Sequence, residues 1–376
     1  MRQRVMLRIL DSLSGVEPEK WDTLSGGQPF LSHAFFTALA DSGCASPRTG
    51  WIPCFPSLWE GDDLVGAMPL YLKRHSWGEY VFDWAWAEAY HRRGLDYYPK
   101  LVSSVPFTPV SGPRLLASKP EDRSRLLIAA LDLSAEIGAS GLHCLFPGAS
   151  EAAEMASQGM MLRTGMQFHW QNKGYADFKD YLSTMSHDKR KKIRQERRRI
   201  GEAGISLERK TGRDIGESDW VFFDSCYRNT YSEHRSSPYL NLDFFLKMGE
   251  TLADNLLMVI AYREGRAIAS ALDLFDGKRL YGRYWGAMER HSGLHFETCY
   301  YQGIEFCIER DIAAFEGGAQ GAHKLARGFM PVQTWSAHWL AHPDFSRAVG
   351  AFLDKESTGM AQHIAELEEA GPFRGS

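Results

Sequence analysis

Apolar and polar positions along the chain follow two periods. Short apolar runs bounded by turn residues predict strands at 5–10, 51–58, 64–71, 142–146, 166–171, 205–210, 256–262, 268–275 and 312–315, with further strands through 273–288. Stretches with helical spacing and plausible caps predict helices at 18–24, 33–41, 122–137, 175–184, 186–204, 218–234, 242–252, 297–310 and 344–356, with a C-terminal helix reaching 369. Strands and helices alternate through both halves, so the fold class is α/β with mixed sheets.

One pattern occurs twice. Residues 60–71 read EGDDLVGAMPLY and residues 264–275 read EGRAIASALDLF. Glu and Gly coincide, Leu64 answers Ile268, Ala67 answers Ala271, Met68 answers Leu272, and Tyr71 answers Phe275. An apolar segment precedes each copy, which predicts a hairpin across each Glu-Gly turn. Each copy is followed by a helix and a short strand, so we expect a duplicated α/β domain with a cleft between the copies. The expected division is 1–172, linker helices over 173–204, a second copy over 205–356, and a helix and frayed tail over 357–376.

Three stretches carry candidate chemistry. Residues 315–329, FEGGAQGAHKLARGF, place a lone Glu316 at a strand end before bare backbone and the polar set Gln320, His323, Lys324 and Arg327. Such a loop suits an anionic ligand, and equally suits a glycine turn before a solvated helix. Residues 75–116 are too rich in Trp, Tyr, Pro and Gly for a long helix. They read as the wall of a substrate groove, with Asp83, Trp86, Tyr97, Tyr98 and Lys100 as its members, or as a packed interdomain loop. Residues 188–202 hold eight Lys/Arg against three Asp/Glu, a local charge of +5, which leaves −9 for the rest of a chain whose total is −4. Lys189, Arg190, Lys192, Arg194 and Arg197 are therefore candidates for an anionic partner such as a tRNA, the alternative being a solvated helix face.

Composition narrows the classes. At 376 residues with 44% hydrophobic content the chain can fill two cores. Six cysteines without metal spacing predict free thiols, no metal is expected, and the absence of a long apolar run predicts a cytoplasmic protein without a membrane span. There is no GK[ST] phosphate loop, no GxSxG and no HExxH; His338 and His342 stand four apart without an interleaved Glu.

SHDKRKKIRQERRRI, HSWGEYVFDWAWAEAYHRRGLDYYPKL and the long run from GRYWGAMERHSGLHF to TWSAHW resemble the FemAB-like bacterial family of N-acyltransferases, within the GNAT-type superfamily. The resemblance covers about 33–356. It implies tandem GNAT-like domains and an acyl-CoA or aminoacyl-tRNA as co-substrate, with an amine acceptor such as a cell-wall precursor. Residues 289–296 depart from the basic, glycine-rich pyrophosphate loop of CoA-dependent relatives. Acyl transfer needs a base, donors to the carbonyl oxygen and an acid for the leaving group. Glu316 is the expected base and His323 its alternative. Tyr284 would protonate the leaving group, and Arg283, Gln320, Lys324 and Arg327 would hold the donor. The structural readings of the same residues are Glu316 paired with Arg327 or Lys324, His323 as a cap and Tyr284 as packing. The rival functions are a non-catalytic module recognising a peptidoglycan or lipid-linked precursor, and an RNA-associated protein.

Overall fold

The computed structural model describes residues 4–318 and 321–374, with the Ala322 side chain left aside. The chain forms two compact units, Met1–Gly165 with Gln333–Ala361, and Met166–Val332 with Gln362–Ser376. The first unit thus takes residues 333–361 from the C-terminal half of the sequence, and the second is closed by the C-terminal segment 362–376. The exchange falls inside two long strands, Met161–Gln171 and Met330–Leu340, so the expected breaks at 172, 204 and 356 do not describe it. Periodicity reports that a strand exists; it does not report which sheet receives each end.

In the first unit, Val5–Leu10, Phe55–Glu60 and Asp63–Ala67 form a small antiparallel sheet. A second sheet runs Trp51–Pro53, Tyr71–Lys73, Lys100–Ser103, Gly141–Leu145 and residues 336–340. Only Lys100–Ser103 and Gly141–Leu145 are parallel in this series, and Pro120–Glu136 is the crossover helix between them. In the second unit Ile205–Thr211, Leu256–Arg263, Arg266–Phe275 and Arg279–Ala287 form an antiparallel meander. Ala314–Glu316 then adds in parallel and residues 169–171 in antiparallel. The repeated hairpins are Phe55–Glu60 with Asp63–Ala67, and Leu256–Arg263 with Arg266–Phe275. Both put a glycine at positive φ in the turn, Gly61 at 64° and Gly265 at 75°, where a Cβ is disfavoured.

Leu256–Arg263 is a continuous apolar run because both of its faces are covered. Helix Glu217–Glu233 lies so close to Arg279–Ala287 that a Cβ at Gly286 would stand 1.9 Å from the Cys226 carbonyl oxygen. Helix His187–Glu202 buries Ile193, Glu196 and Ile200 at helical spacing and leaves most of its cations outside.

Several elements differ from expectation. The aromatic stretch contains helix Trp84–Arg92 and strand Lys100–Ser103. Residues 343–369 form one helix, Pro343–Glu369, rather than two. Residues 371–374, expected to fray, are docked: Ser186 N donates to Pro372 O (2.9 Å) and Arg374 N to Thr184 O (3.0 Å). All six cysteines are free.

Candidate active site in the second unit

Arg279–Ala287 pairs with Arg266–Phe275 along almost its whole length. On its other side it pairs with Ala314–Glu316 over only three rungs, 279 with 314, 280 with 315 and 281 with 316. Beyond Tyr281 and Glu316 the two parallel strands part. Gly317 and Gly318 continue beside Phe168 instead: Gly317 N donates to Phe168 O (2.9 Å) and Phe168 N to Gly318 O (3.3 Å). Gly282 marks the start of the separation, where a Cβ would meet the Phe315 ring at 2.9 Å.

Glu316 stands at this fork, fully buried. One oxygen accepts from Arg279 Nη1 (2.7 Å) and the other from Arg283 Nη2 (3.2 Å). Both oxygens are engaged before any substrate arrives, so Glu316 holds the fork together and the expectation of a free base there is corrected. Its partners are also not the expected Arg327 or Lys324. Arg283 sits where it was expected, on the strand facing the opening, but its guanidinium serves this pairing.

Lys324 and His323 lie at the rim. Lys324 Nζ donates to Gly317 O, and burial, reinforced by Arg283, lowers this amine to about 8, with Cys299 opposing. His323 is exposed and meets the Tyr300 hydroxyl through Nε2 (3.2 Å). Burial of part of its ring, then Lys324 and Arg327, lower its pKa. His295 continues the line, 6.0 Å from the His323 ring centre and 5.3 Å from that of Trp285 on the freed part of the strand. Burial, then His323, Lys324 and Arg327, bring His295 to about 4. A run of rings thus crosses the opening from Trp285 to His323. Beside it a cavity of about 570 Å³ is lined by Thr230, Trp285, Glu289, Arg290, His291 and His295, at the start of the helical stretch 294–309.

Other expected members turn elsewhere. Tyr284 packs its ring 5.9 Å from Tyr227 and 6.0 Å from Phe245. It does not join Glu316 and His323. Arg327 is buried, stacked 3.3 Å over Phe296 and bonded to Glu196 (2.7 Å) and the Tyr301 hydroxyl (3.1 Å). It braces the loop rather than offering its charge to a donor. Gln320 lies outside the described residues.

Sequence reasoning passed over Asp273, a lone acid in the apolar strand Arg266–Phe275. It is buried, and no hydrogen-bond partner for its Oδ2 occurs among the described residues. Burial raises its pKa well above the ordinary carboxylate range despite Arg283. An acid in a strand apolar on both faces was the available signal.

In the first unit, Asp83 and Lys100 point inward and line no groove. Lys100 Nζ donates to Ser76 Oγ (2.8 Å), Glu79 Oε2 (2.7 Å) and Asp83 Oδ2. Tyr97 OH also donates to Asp83 Oδ2 (2.6 Å), and Tyr98 OH meets Ser76 Oγ (2.9 Å). Burial works against the Lys100 charge, but Glu79 and Asp83 raise its pKa. Burial pushes Glu79 up to about 7 against the pull of Lys100. Trp86 packs edge-on against His338, which bonds His143 and Ser336. Among the described residues no group of three or more His, Cys, Asp or Glu could hold a metal ion.

On the basic helix, Arg197 is spoken for: Nη2 bonds Glu297 (2.9 Å) and Nη1 bonds Glu305 (2.7 Å), with the guanidinium over Phe178. It is thereby removed from the anion-binding set. Arg190 and Arg194 line an open surface with Lys191 and Arg198, while Lys192 is exposed and Lys189 half-buried.

No curated protein matches the sequence. Among solved structures the chain is similar to FemX, with a TM-score of 0.56 and 10% identity over 89% of this chain and 98% of that one. It is similar to L-PGS from Bacillus licheniformis, with a TM-score of 0.53 and 12% identity over 90% and 97%. The C-terminal domain of a putative lysylphosphatidylglycerol synthetase from Agrobacterium fabrum gives 0.53 and 10% over 88% and 94%. These likenesses show the fold, a mixed α/β structure with a large mixed sheet. The FemAB-like profile, described as peptidoglycan biosynthesis/recognition, matches residues 12–375, and the chain belongs to that family.

Proposed function

We propose that the protein is an N-acyltransferase that moves an acyl or aminoacyl group from an activated donor to an amine, with a cell-wall precursor as the acceptor class. Membership in the FemAB-like family and the GNAT-like fold support acyl transfer as the reaction type. The carrying observation is the fork between Arg279–Ala287 and Ala314–Glu316, with the imidazole of His323 and the amine of Lys324, both of lowered pKa, at its rim.

In this reading the donor carbonyl enters the fork. His323 takes a proton from the acceptor ammonium, and the freed amine nitrogen attacks the carbonyl carbon. The C–O or C–S bond to the carrier then breaks as the amide forms. Lys324, as its ammonium ion, donates to the developing oxyanion, the carrier leaves with a proton from the imidazolium of His323, and the nitrogen of the new amide releases its second proton to solvent. Desolvation makes such a donor stronger than in water.

Either acyl-CoA or aminoacyl-tRNA serves as donor in this scheme, and the exposed face of His187–Glu202 favours the tRNA. If tRNA is the donor, changing Lys191, Arg194 and Arg198 to Glu abolishes its binding, and wild-type affinity falls steeply with salt.

The test offers folded, full-length protein a panel of acyl-CoAs and charged tRNAs with amine acceptors, and reads the product by mass. Turnover with at least one pair is expected, and His323→Asn lowers kcat by about 10²–10⁴-fold, the usual worth of a positioned base. Silence across both panels overturns the reading. Retained ligand binding alone leaves the non-catalytic recognition module, for which the occupied oxygens of Glu316 are the specific observation.

A further inference from the structure

Residues 76–84 of the first unit turn their polar side chains inward and their large aromatic side chains outward. Trp77, Tyr80, Phe82 and Trp84 are 58%, 37%, 61% and 41% exposed, while Ser76, Glu79 and Asp83 are buried. This display is enforced by the interior. Lys100 gathers Ser76, Glu79 and Asp83 around one ammonium group, and Lys73 Nζ donates to Trp77 O (3.2 Å). Val81 packs on Val102, Leu145 and Phe146. Gly78 has φ +82°, and a Cβ there would meet the Phe107 ring at 2.6 Å. Tyr80 takes a left-handed φ of 60°, which a side-chain-bearing residue keeps only where its surroundings impose it. The Trp77 and Trp84 rings meet edge-on at 5.1 Å, so the display is one patch.

The patch adjoins an apolar groove in the same unit. Trp86 and Ala89 of Trp84–Arg92 face Phe345, Val349 and Phe352 of Pro343–Glu369 across a cavity of about 510 Å³, and Arg92 and Arg93 also line it. Arg163 ties the parts together: it donates to Phe82 O (2.7 Å), lies over the Trp86 ring and pairs with Glu356 (2.8 Å). Exposed apolar area of this kind is unfavourable in water and marks a contact surface.

The chemistry selects the occupant. Trp and Tyr prefer the boundary between an apolar and an aqueous phase, a groove suits acyl chains, and guanidinium groups suit phosphate. Glu79 and Asp83, acids that would repel lipid phosphates from the surface, are withdrawn into the interior, where both pair with Lys100. The acids left outside between 74 and 96 are Glu88 and Asp96, set against the cations Arg74, Arg92 and Arg93, with Arg92 paired to Glu88. No helix among the described residues is long and apolar enough to cross a membrane. We propose that this face seats the protein on the surface of an anionic phospholipid bilayer, with the aromatic side chains at headgroup depth and Arg92 and Arg93 against lipid phosphates. The proposal is independent of acyl transfer.

The test is co-sedimentation of the full chain with vesicles of phosphatidylcholine alone and of phosphatidylcholine with phosphatidylglycerol in equal parts. Wild type is expected to bind the mixed vesicles more strongly. The triple change Trp77→Ser, Phe82→Ser, Trp84→Ser should lower the vesicle partition coefficient about tenfold or more, with an unchanged circular dichroism spectrum because all three side chains are already in water. Arg92→Gln with Arg93→Gln should remove the preference for the anionic mixture. Failure of wild type to bind either vesicle overturns the proposal. So does equal binding by the triple variant, or self-association of wild type without lipid that the triple change abolishes, since the patch would then be a contact between copies.

Discussion

Each unit pairs two strands in parallel over three rungs, and the two pairs end differently. In the first unit residues 101–103 pair with 142–144; in the second, 279–281 pair with 314–316. Past the first pair the chain fills its own fork. Gly112 N donates to Phe146 O (3.1 Å), and Arg114, fully buried, donates to the carbonyls of Leu145 (2.7 Å), Val110 (2.6 Å), Gly112 (3.1 Å) and Pro113 (3.0 Å). Past the second pair come glycines, an exposed imidazole and an amine of lowered pKa. The duplication therefore kept the scaffold twice and the candidate chemistry once: a cation that saturates carbonyls closes one fork, and a cation near its titration point borders the other.

The largest effect tests the closed fork. Arg114→Met keeps much of the volume but takes the guanidinium donor from the buried carbonyls of Leu145 and Val110. The expected loss is about 3–5 kcal/mol of unfolding free energy, since each unpaired buried group costs about 1–3 kcal/mol. Denaturant unfolding reads it directly. Turnover per folded molecule should not change, because on this comparison the first fork does no chemistry; a kcat loss in correctly folded protein would break the comparison.

Glu316→Gln tests the open fork. The buried Arg283 would face a neutral amide, and the expected destabilisation is about 3 kcal/mol, at the low end for breaking a buried ion pair, because Arg279 remains half in solvent. kcat in the surviving folded fraction should fall less than about tenfold, well below the loss of a base. A loss of hundreds-fold with stability unchanged would restore Glu316 as the base and leave His323 without its role.

Much of the scaffold was legible in the sequence. The Glu-Gly hairpins follow from alternation and turn residues, and the buried line Ile193 and Ile200 from their heptad spacing. What was not legible depends on partners distant in the chain. Glu316 beside Gly317 and Gly318 looks unpartnered until strand pairing brings up Arg279 and Arg283. Asp83 and Lys100 look like groove residues because an aromatic stretch does not say which of its members face inward. The segment exchange within Met161–Gln171 and Met330–Leu340 has no local signal, since either end of an apolar strand satisfies either sheet. Tyr284 looks like a site residue until the fold packs its ring against Tyr227 and Phe245.

The smallest effect is a shift in a pH profile, and it sharpens the comparison by asking whether the rim cation titrates. Arg114, though burial lowers it to about 10, stays charged at neutral pH. Lys324, lowered to about 8, does not stay charged far above neutrality. If its ammonium form donates to the oxyanion, kcat falls as pH rises through about 8, and Lys324→Arg moves that limb upward by a unit or more while keeping the charge. Unfolding cannot imitate this limb through the same group. A lysine whose folded pKa is lowered binds fewer protons folded than unfolded between about 8 and its ordinary value of 10.5, so its contribution makes stability rise with pH across that window. Activity and the stability due to Lys324 should therefore move in opposite directions above pH 8, read by initial rates and by denaturant unfolding on the same samples. An activity limb that stays in place in Lys324→Arg would remove Lys324 from the chemistry and leave it as a brace on the Gly317 carbonyl, the same kind of work Arg114 does in the closed fork.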